Sequence, residues 1–159
     1  MNAHAARATD GESSAGGIVL TILLAGLASE IVWEIWARVI TPQLVGGPLE
    51  PAGLIQSVFG LGDRTIAEII HVMVGLIAYP FGYIFIARPV AKTIVPFLPW
   101  WIVALGYGTA LWVFALYIMA HLVAGFPPFL GFIPLTWASL VGHLLFALAG
   151  GAVVKTRLG

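Results

Sequence analysis

Four long runs of apolar residues, broken by short connections rich in Gly and Pro, set the plan of this chain. None of the runs alternates apolar with polar positions as the strands of a membrane barrel do, so helices are the expected elements. A helix needs roughly 20 apolar residues to cross a hydrocarbon core of about 30 Å. The pattern predicts such helices over about 17–40, 65–87, 100–124 and 132–154. Together they predict an all-α integral membrane fold, an antiparallel four-helix transmembrane bundle.

The ends of the runs carry their own signals. Thr41-Pro42 is expected to stop the first helix, and Arg88-Pro89 the second. Asp63 or Thr65 can cap the second helix, and Thr65 to Glu68 has the form of a capping box. Pro80 is expected to kink that helix. Pro99, Trp100 and Trp101 open the third helix with an interfacial signature, and Pro127-Pro128 mark a tight loop before the fourth. The long connection, 41–64, is Gly- and Pro-rich but not very polar. Within it, 51–59 predicts a short helix on the membrane surface. Leu54, Ile55, Val58 and Phe59 would face lipid or the bundle, as a lid over its outer end.

Composition agrees with the pattern. Hydrophobic residues make up 60% of the 159 and charged residues 9%, against about 45–50% and about 25% in soluble domains. The mean hydropathy is +1.03. The expected division is an N-terminal tail, 1–16, that is mobile in isolation, and a single domain, 17–159. The tail is polar and mixed in charge, unlike the basic n-region of a removable signal peptide. No cysteine is present, which excludes disulfides, zinc ribbons and iron–sulfur clusters. The net charge is zero, and no basic surface suggests nucleic acid. Basic residues orient the spans. Arg7, Arg88, Lys92, Lys155 and Arg157 fall on one side, and Arg38 and Arg64 on the other, so both termini are expected in the cytoplasm. The stretch from Gly142-His143 to Gly150-Gly151 resembles small bacterial four-helix membrane proteins; this covers one helix and implies a bacterial inner membrane but no function.

The candidate chemistry lies in six ionisable residues within the spans: Glu30, Glu34, Glu68, His71, His121 and His143. Such residues are costly in a membrane and mark functional sites by default. At 1.5 Å per residue, depths run from roughly 5 Å for Glu68 and His121 to roughly 16 Å for His143, all in the outer half. Each shares a helical face with small residues: Glu30 and Glu34 with Gly26 and Ala37, Glu68 and His71 with Gly75 and Gly82, His121 with Gly106 and Ala110, His143 with Ser139 and Gly150. Small residues mark where membrane helices approach, so a converging Glu/His cluster is expected.

Three chemical readings suit this set. A transition metal (iron, zinc or copper) fits the six residues, because Glu68 and His71 have the Glu-x-x-His spacing of carboxylate-bridged centres, here present once rather than twice. Haem b fits His71 and His121 as axial ligands from consecutive helices. Proton or small-solute handling fits Glu30 beside His143. Set against these, Glu68 can simply cap its helix, Glu34 can pair with Arg38, and the whole can be an accessory subunit of a respiratory or photosynthetic complex, or a homo-oligomer, in the lipid bilayer. Trp33, Trp36, Trp100, Trp101 and Trp137 are expected as interfacial anchors, and Trp112 against a partner, a pigment or lipid. No nucleophile–base arrangement or phosphate loop is visible, and enzymatic activity stays open.

Overall fold

The computed structural model describes residues 14–159. The expected N-terminal tail lies outside them except for its last residues, where Ser14 already caps the first helix by accepting from the Gly17 N–H. Four helices are long and apolar enough to cross a membrane: α1 (Ala15–Val45), α3 (Arg64–Ile94), α4 (Trp100–Val123) and α5 (Pro134–Leu158). Between α1 and α3 stands the short α2, Pro51–Phe59, at the bounds the sequence predicts.

The helix α5 is the centre of the bundle. Half of its most apolar window is buried, against 28% or less for the others. It packs on both α1 and α4. Three side-chain bonds fix its register on α1: Arg157 to Thr21 (3.0 Å), Ser29 to the Phe146 carbonyl (2.8 Å) and Trp36 to the Ala138 carbonyl (2.8 Å). Residue numbers rise along α1 as they fall along α5, so the start of α1 and the end of α5 share one end of the bundle. We call this the terminal end, and the opposite one the loop end.

Close approaches need missing side chains. A Cβ on Gly26 would strike the backbone of Leu76, its carbonyl oxygen first. A Cβ on Gly108 would lie 2.6 Å from the His143 carbonyl oxygen, which locks α4 to α5. Outward faces carry Leu27, Ile31, Ile69, Phe81, Ile86 and Leu122, all exposed, as lipid-facing helices require.

Two expected stops are not stops. The helix α1 runs through Thr41-Pro42 to Val45 and ends at Gly46, whose φ of 80° only glycine adopts freely. The helix α3 runs through both Pro80 and Arg88-Pro89 to Ile94. The reason is shared. Each proline comes after a π-helical stretch: Ile35–Ile40 before Pro42, Val74–Ala78 before Pro80, Tyr83–Ala87 before Pro89. The stretches close with five-residue bonds, from Thr41 N–H to Trp36, Tyr79 to Val74 and Arg88 to Tyr83. The wider turn relieves the clash between the proline ring and the preceding turn, so the helix continues. Leu76, four residues before Pro80, receives no N–H from it, and this is the carbonyl that Gly26 packs against.

The α4–α5 connection is strained. Phe129, Leu130 and Phe132 have φ of 48°, 53° and 56°, a left-handed path that side chains resist. A tilted ring contact of Phe129 with Trp112, at 4.7 Å, and the Thr136 hydroxyl bond to the Phe129 carbonyl hold it.

Candidate functional site

At the loop end, α1, α3, α4, α5 and the short α2 line a half-open chamber of about 440 Å³. Its walls are mostly apolar, with Ile70 and Val74 from α3, Leu116 and Met119 from α4 and Phe146 from α5. Leu54, Ile55, Val58 and Phe59 of α2 complete it, so this helix turns its apolar face to the bundle. Leu130 of the left-handed loop closes a further side. Glu30, Trp33, His71, Ser139 and His143 supply the polar part of the wall, together with Tyr79 and, at the start of α2, Glu50.

Trp33 stands at the centre of that polar group. Its indole contacts the His71 ring at 5.8 Å and the His143 ring, edge-on, at 5.1 Å. It is buried against Gly142, where a Cβ would come within 2.9 Å of the indole. His143 is buried, and its Nδ1 lies 2.8 Å from the Ser139 carbonyl. A carbonyl only accepts, so Nδ1 carries the proton, and in the neutral ring Nε2 presents a lone pair. The Glu30 carboxyl fits against Gly75: a Cβ there would overlap Glu30 Oε1, so the glycine makes its room.

Three polar atoms of this wall are buried without a hydrogen-bond partner in the protein: Glu30 Oε2, Trp33 Nε1 and His71 Nδ1. Thr41 Oγ1 is a fourth such atom, away from the chamber lining. Leaving a buried polar group unmatched costs about 1–3 kcal/mol, so groups of this kind collected on one cavity call for an occupant, be it water or a ligand.

The six candidate residues do not form one cluster. Glu30, His71 and His143 line the chamber. Glu34 and Glu68 belong to a chain of ion pairs at the loop end. Glu34 pairs with Arg38, Arg38 with Glu68 (3.6 Å), Glu68 with Arg64 (3.5 Å), and Arg64 with Glu50 (3.0 Å) at the start of α2. This chain ties α1 to α3 and holds the lid helix. The cap of α3 is Asp63, whose side chain accepts from the Thr65 N–H at 2.7 Å. His121 is outside the chamber lining. Its Nδ1 donates to the Phe126 carbonyl at 2.7 Å, and its ring meets Tyr117 at 5.4 Å. Among the described residues, no group of three or more His, Cys, Asp or Glu is placed to hold a metal ion.

Other expectations are redirected. Gly106 and Ala110, expected inward with His121, are exposed; Ala104, Gly108, Leu111, Leu116 and Ala120 face in instead. Trp112 is satisfied within the chain, its indole N–H bonded to the Thr136 carbonyl at 3.2 Å. Trp33, expected as an interfacial anchor, is the buried hub of the site. Its signal was present: it stands three positions after Glu30, on the same helical face. Comparison with protein-family models, curated proteins and solved structures finds no match for this chain.

Proposed function

We propose that the chain is a four-span antiparallel protein of a bacterial inner membrane, with both termini in the cytoplasm. In this reading its outer chamber binds a small lipophilic molecule bearing a neutral hydroxyl head group. The observation that carries the reading is the coincidence of three unpartnered polar atoms, on Glu30, Trp33 and His71, with a largely apolar cavity of about 440 Å³. Ligand pockets typically span about 300–1,000 Å³ and combine apolar walls with a few convergent polar groups. The orientation rests on five basic residues at the terminal side against Arg38 and Arg64 at the other.

The polar group selects the head. The Trp33 N–H only donates, so the ligand must accept there. The His143 Nε2 lone pair only accepts in the neutral ring, so the ligand must also donate. A hydroxyl does both. A carboxylate would face the Glu30 carboxyl, and an ammonium would leave the indole N–H unmatched. The apolar walls then take a branched or cyclic hydrocarbon body. A transition metal or haem is not needed in this reading, because the side chains expected to hold one are divided between the chamber, the ion-pair chain and the Phe126 loop.

The test uses 4-octylphenol as probe, with native mass spectrometry of the detergent-solubilised protein. The wild type should retain one molecule per chain. Ala115→Phe, which projects a ring into the chamber from its α4 wall, should retain none while melting normally. Equal retention by both would refute the chamber as a binding site and favour an accessory-subunit role.

A further inference from the structure

A second cavity lies at the terminal end, of about 320 Å³, lined by the ends of α3, α4 and α5. Three cationic side chains border it: Arg88 and Lys92 of α3 and Lys155 of α5. Among the described residues, no acidic side chain is in its lining. Every ion pair among them uses Arg38 or Arg64 at the loop end, and none uses these three cations. Arg88 donates one N–H at 2.8 Å to a main-chain oxygen of Gly159, at the carboxyl end of the chain, which partly neutralises its charge but leaves others of its five donors, while Lys92 and Lys155 have no acidic side-chain partner among the described residues. Below the cations the wall is apolar and aromatic: Tyr83, Trp100, Val103 and Gly151.

The unexpected length of α3 builds this arrangement. Were the helix to end at Arg88-Pro89, Lys92 would have no fixed place. Because the π-helical stretch Tyr83–Ala87 carries the helix through Pro89, Lys92 stands one turn beyond Arg88 on the same face. The start of α4 adds to the field. Its N-cap is Pro99, which offers no side-chain acceptor, and the positive end of the helix borders the cavity.

We propose that this cavity binds the phosphate of an anionic membrane phospholipid, with the glycerol and upper acyl carbons against Trp100, Val103 and Tyr83. Three cations around one opening match a phosphate diester. The apolar wall beneath matches the glycerol and acyl carbons of a lipid, and a free phosphate has nothing to place there. Basic hollows between helix ends at the cytoplasmic face are where lipid head groups are held. This site is independent of the outer chamber, and neither needs the other.

The experiment is native mass spectrometry of the full chain in detergent, titrated with phosphatidylglycerol, phosphatidylcholine and inorganic phosphate. Phosphatidylglycerol should bind in preference to phosphatidylcholine and withstand millimolar inorganic phosphate. The double variant Lys92→Gln/Lys155→Gln should bind it about thirty-fold more weakly, corresponding to about 1 kcal/mol for each charge removed. Both lysines are exposed, so folding should be untouched, and an unchanged melting temperature checks this. Lys92→Arg/Lys155→Arg should restore binding. Displacement of the lipid by inorganic phosphate would overturn the proposal in favour of a soluble anion. Equal phosphatidylglycerol binding by wild type and the glutamine variant would overturn it in favour of a nonspecific lipid annulus.

Discussion

Gly26→Ala tests whether α1 and α3 truly touch backbone to backbone. The new Cβ would overlap the Leu76 carbonyl oxygen, and would lie 2.6 Å from its carbon and 2.7 Å from its Cα. Ordinary contacts between carbon atoms are about 3.5–4.0 Å, so the helices must separate by roughly 1 Å. A backbone inside a helix cannot yield as a side-chain tip can. Overpacking costs about 1–3 kcal/mol, and an overlap with unyielding backbone stands at the top of that range, about 3 kcal/mol. Alanine recovers about 1 kcal/mol of helix propensity over glycine. We expect a net loss of about 2 kcal/mol. At about 2–4 °C per kcal/mol for a chain of this size, the apparent melting temperature should fall by about 4–8 °C.

The control is Gly106→Ala, where a Cβ meets nothing within 4 Å. It should gain the propensity term alone and melt slightly higher. Both variants would be followed by thermal unfolding in one detergent, with tryptophan fluorescence and circular dichroism read together. If Gly26→Ala melts with or above Gly106→Ala, the close packing of α1 on α3 is wrong. The position of Glu30 against Gly75, one turn away on the same interface, would fall with it.

Two further predictions concern the chamber. Glu50→Gln removes the Arg64 partner at the start of α2; the pair is half-exposed, so the melting temperature should barely change. Hydrogen exchange across 50–60 should nonetheless quicken while the four long helices keep their protection. Exchange in the wild type already as fast as in a free peptide would refute the lid. His71→Leu replaces a half-buried ring whose Nδ1 has no partner with an apolar side chain of similar bulk. It should raise the melting temperature by about 2–4 °C and weaken 4-octylphenol binding, the trade expected where function holds an unsatisfied group. A lowered melting temperature would mean that His71 is satisfied in the folded protein.

Hydropathy alone made the four spans and the short lid helix legible, because length and apolarity decide both. The helix ends were not. Thr41-Pro42 and Arg88-Pro89 read as stops only if every turn is α-helical. A π-helical stretch before each proline changes the outcome, and nothing in the side chains of Ile35–Ile40 or Tyr83–Ala87 announces one. The inward faces of α1, α3 and α5 tracked the small residues Gly26, Gly75 and Gly150 as expected. On α4 the same rule had no means to choose, since Gly106 and Gly108 stand two positions apart and so on nearly opposite faces. The structure takes Gly108, and His121 goes with the face that loses. Trp33 was misplaced for a different reason: an aromatic near a helix end reads as an anchor, and only the approach of α5 at Gly142 buries it.

The separation of the six ionisable residues into two groups bears directly on function. Glu34 and Glu68 find cationic partners, so their placement explains itself structurally: they join α1, α3 and the lid. Glu30, Trp33 and His71 lie close by on the same two helices, yet each keeps an atom unmatched. A chain that needed only to hold its helices together had a simpler solution at hand, namely an apolar residue at each position, as it uses at Val74 and Phe146 beside them. Each unmatched group opposes folding by about 1–3 kcal/mol in a protein whose whole margin is about 5–15 kcal/mol. Polar groups kept against that pressure, on the wall of a cavity covered by the separate short helix α2, are the feature of the fold that the proposed binding of a hydroxyl-bearing ligand accounts for.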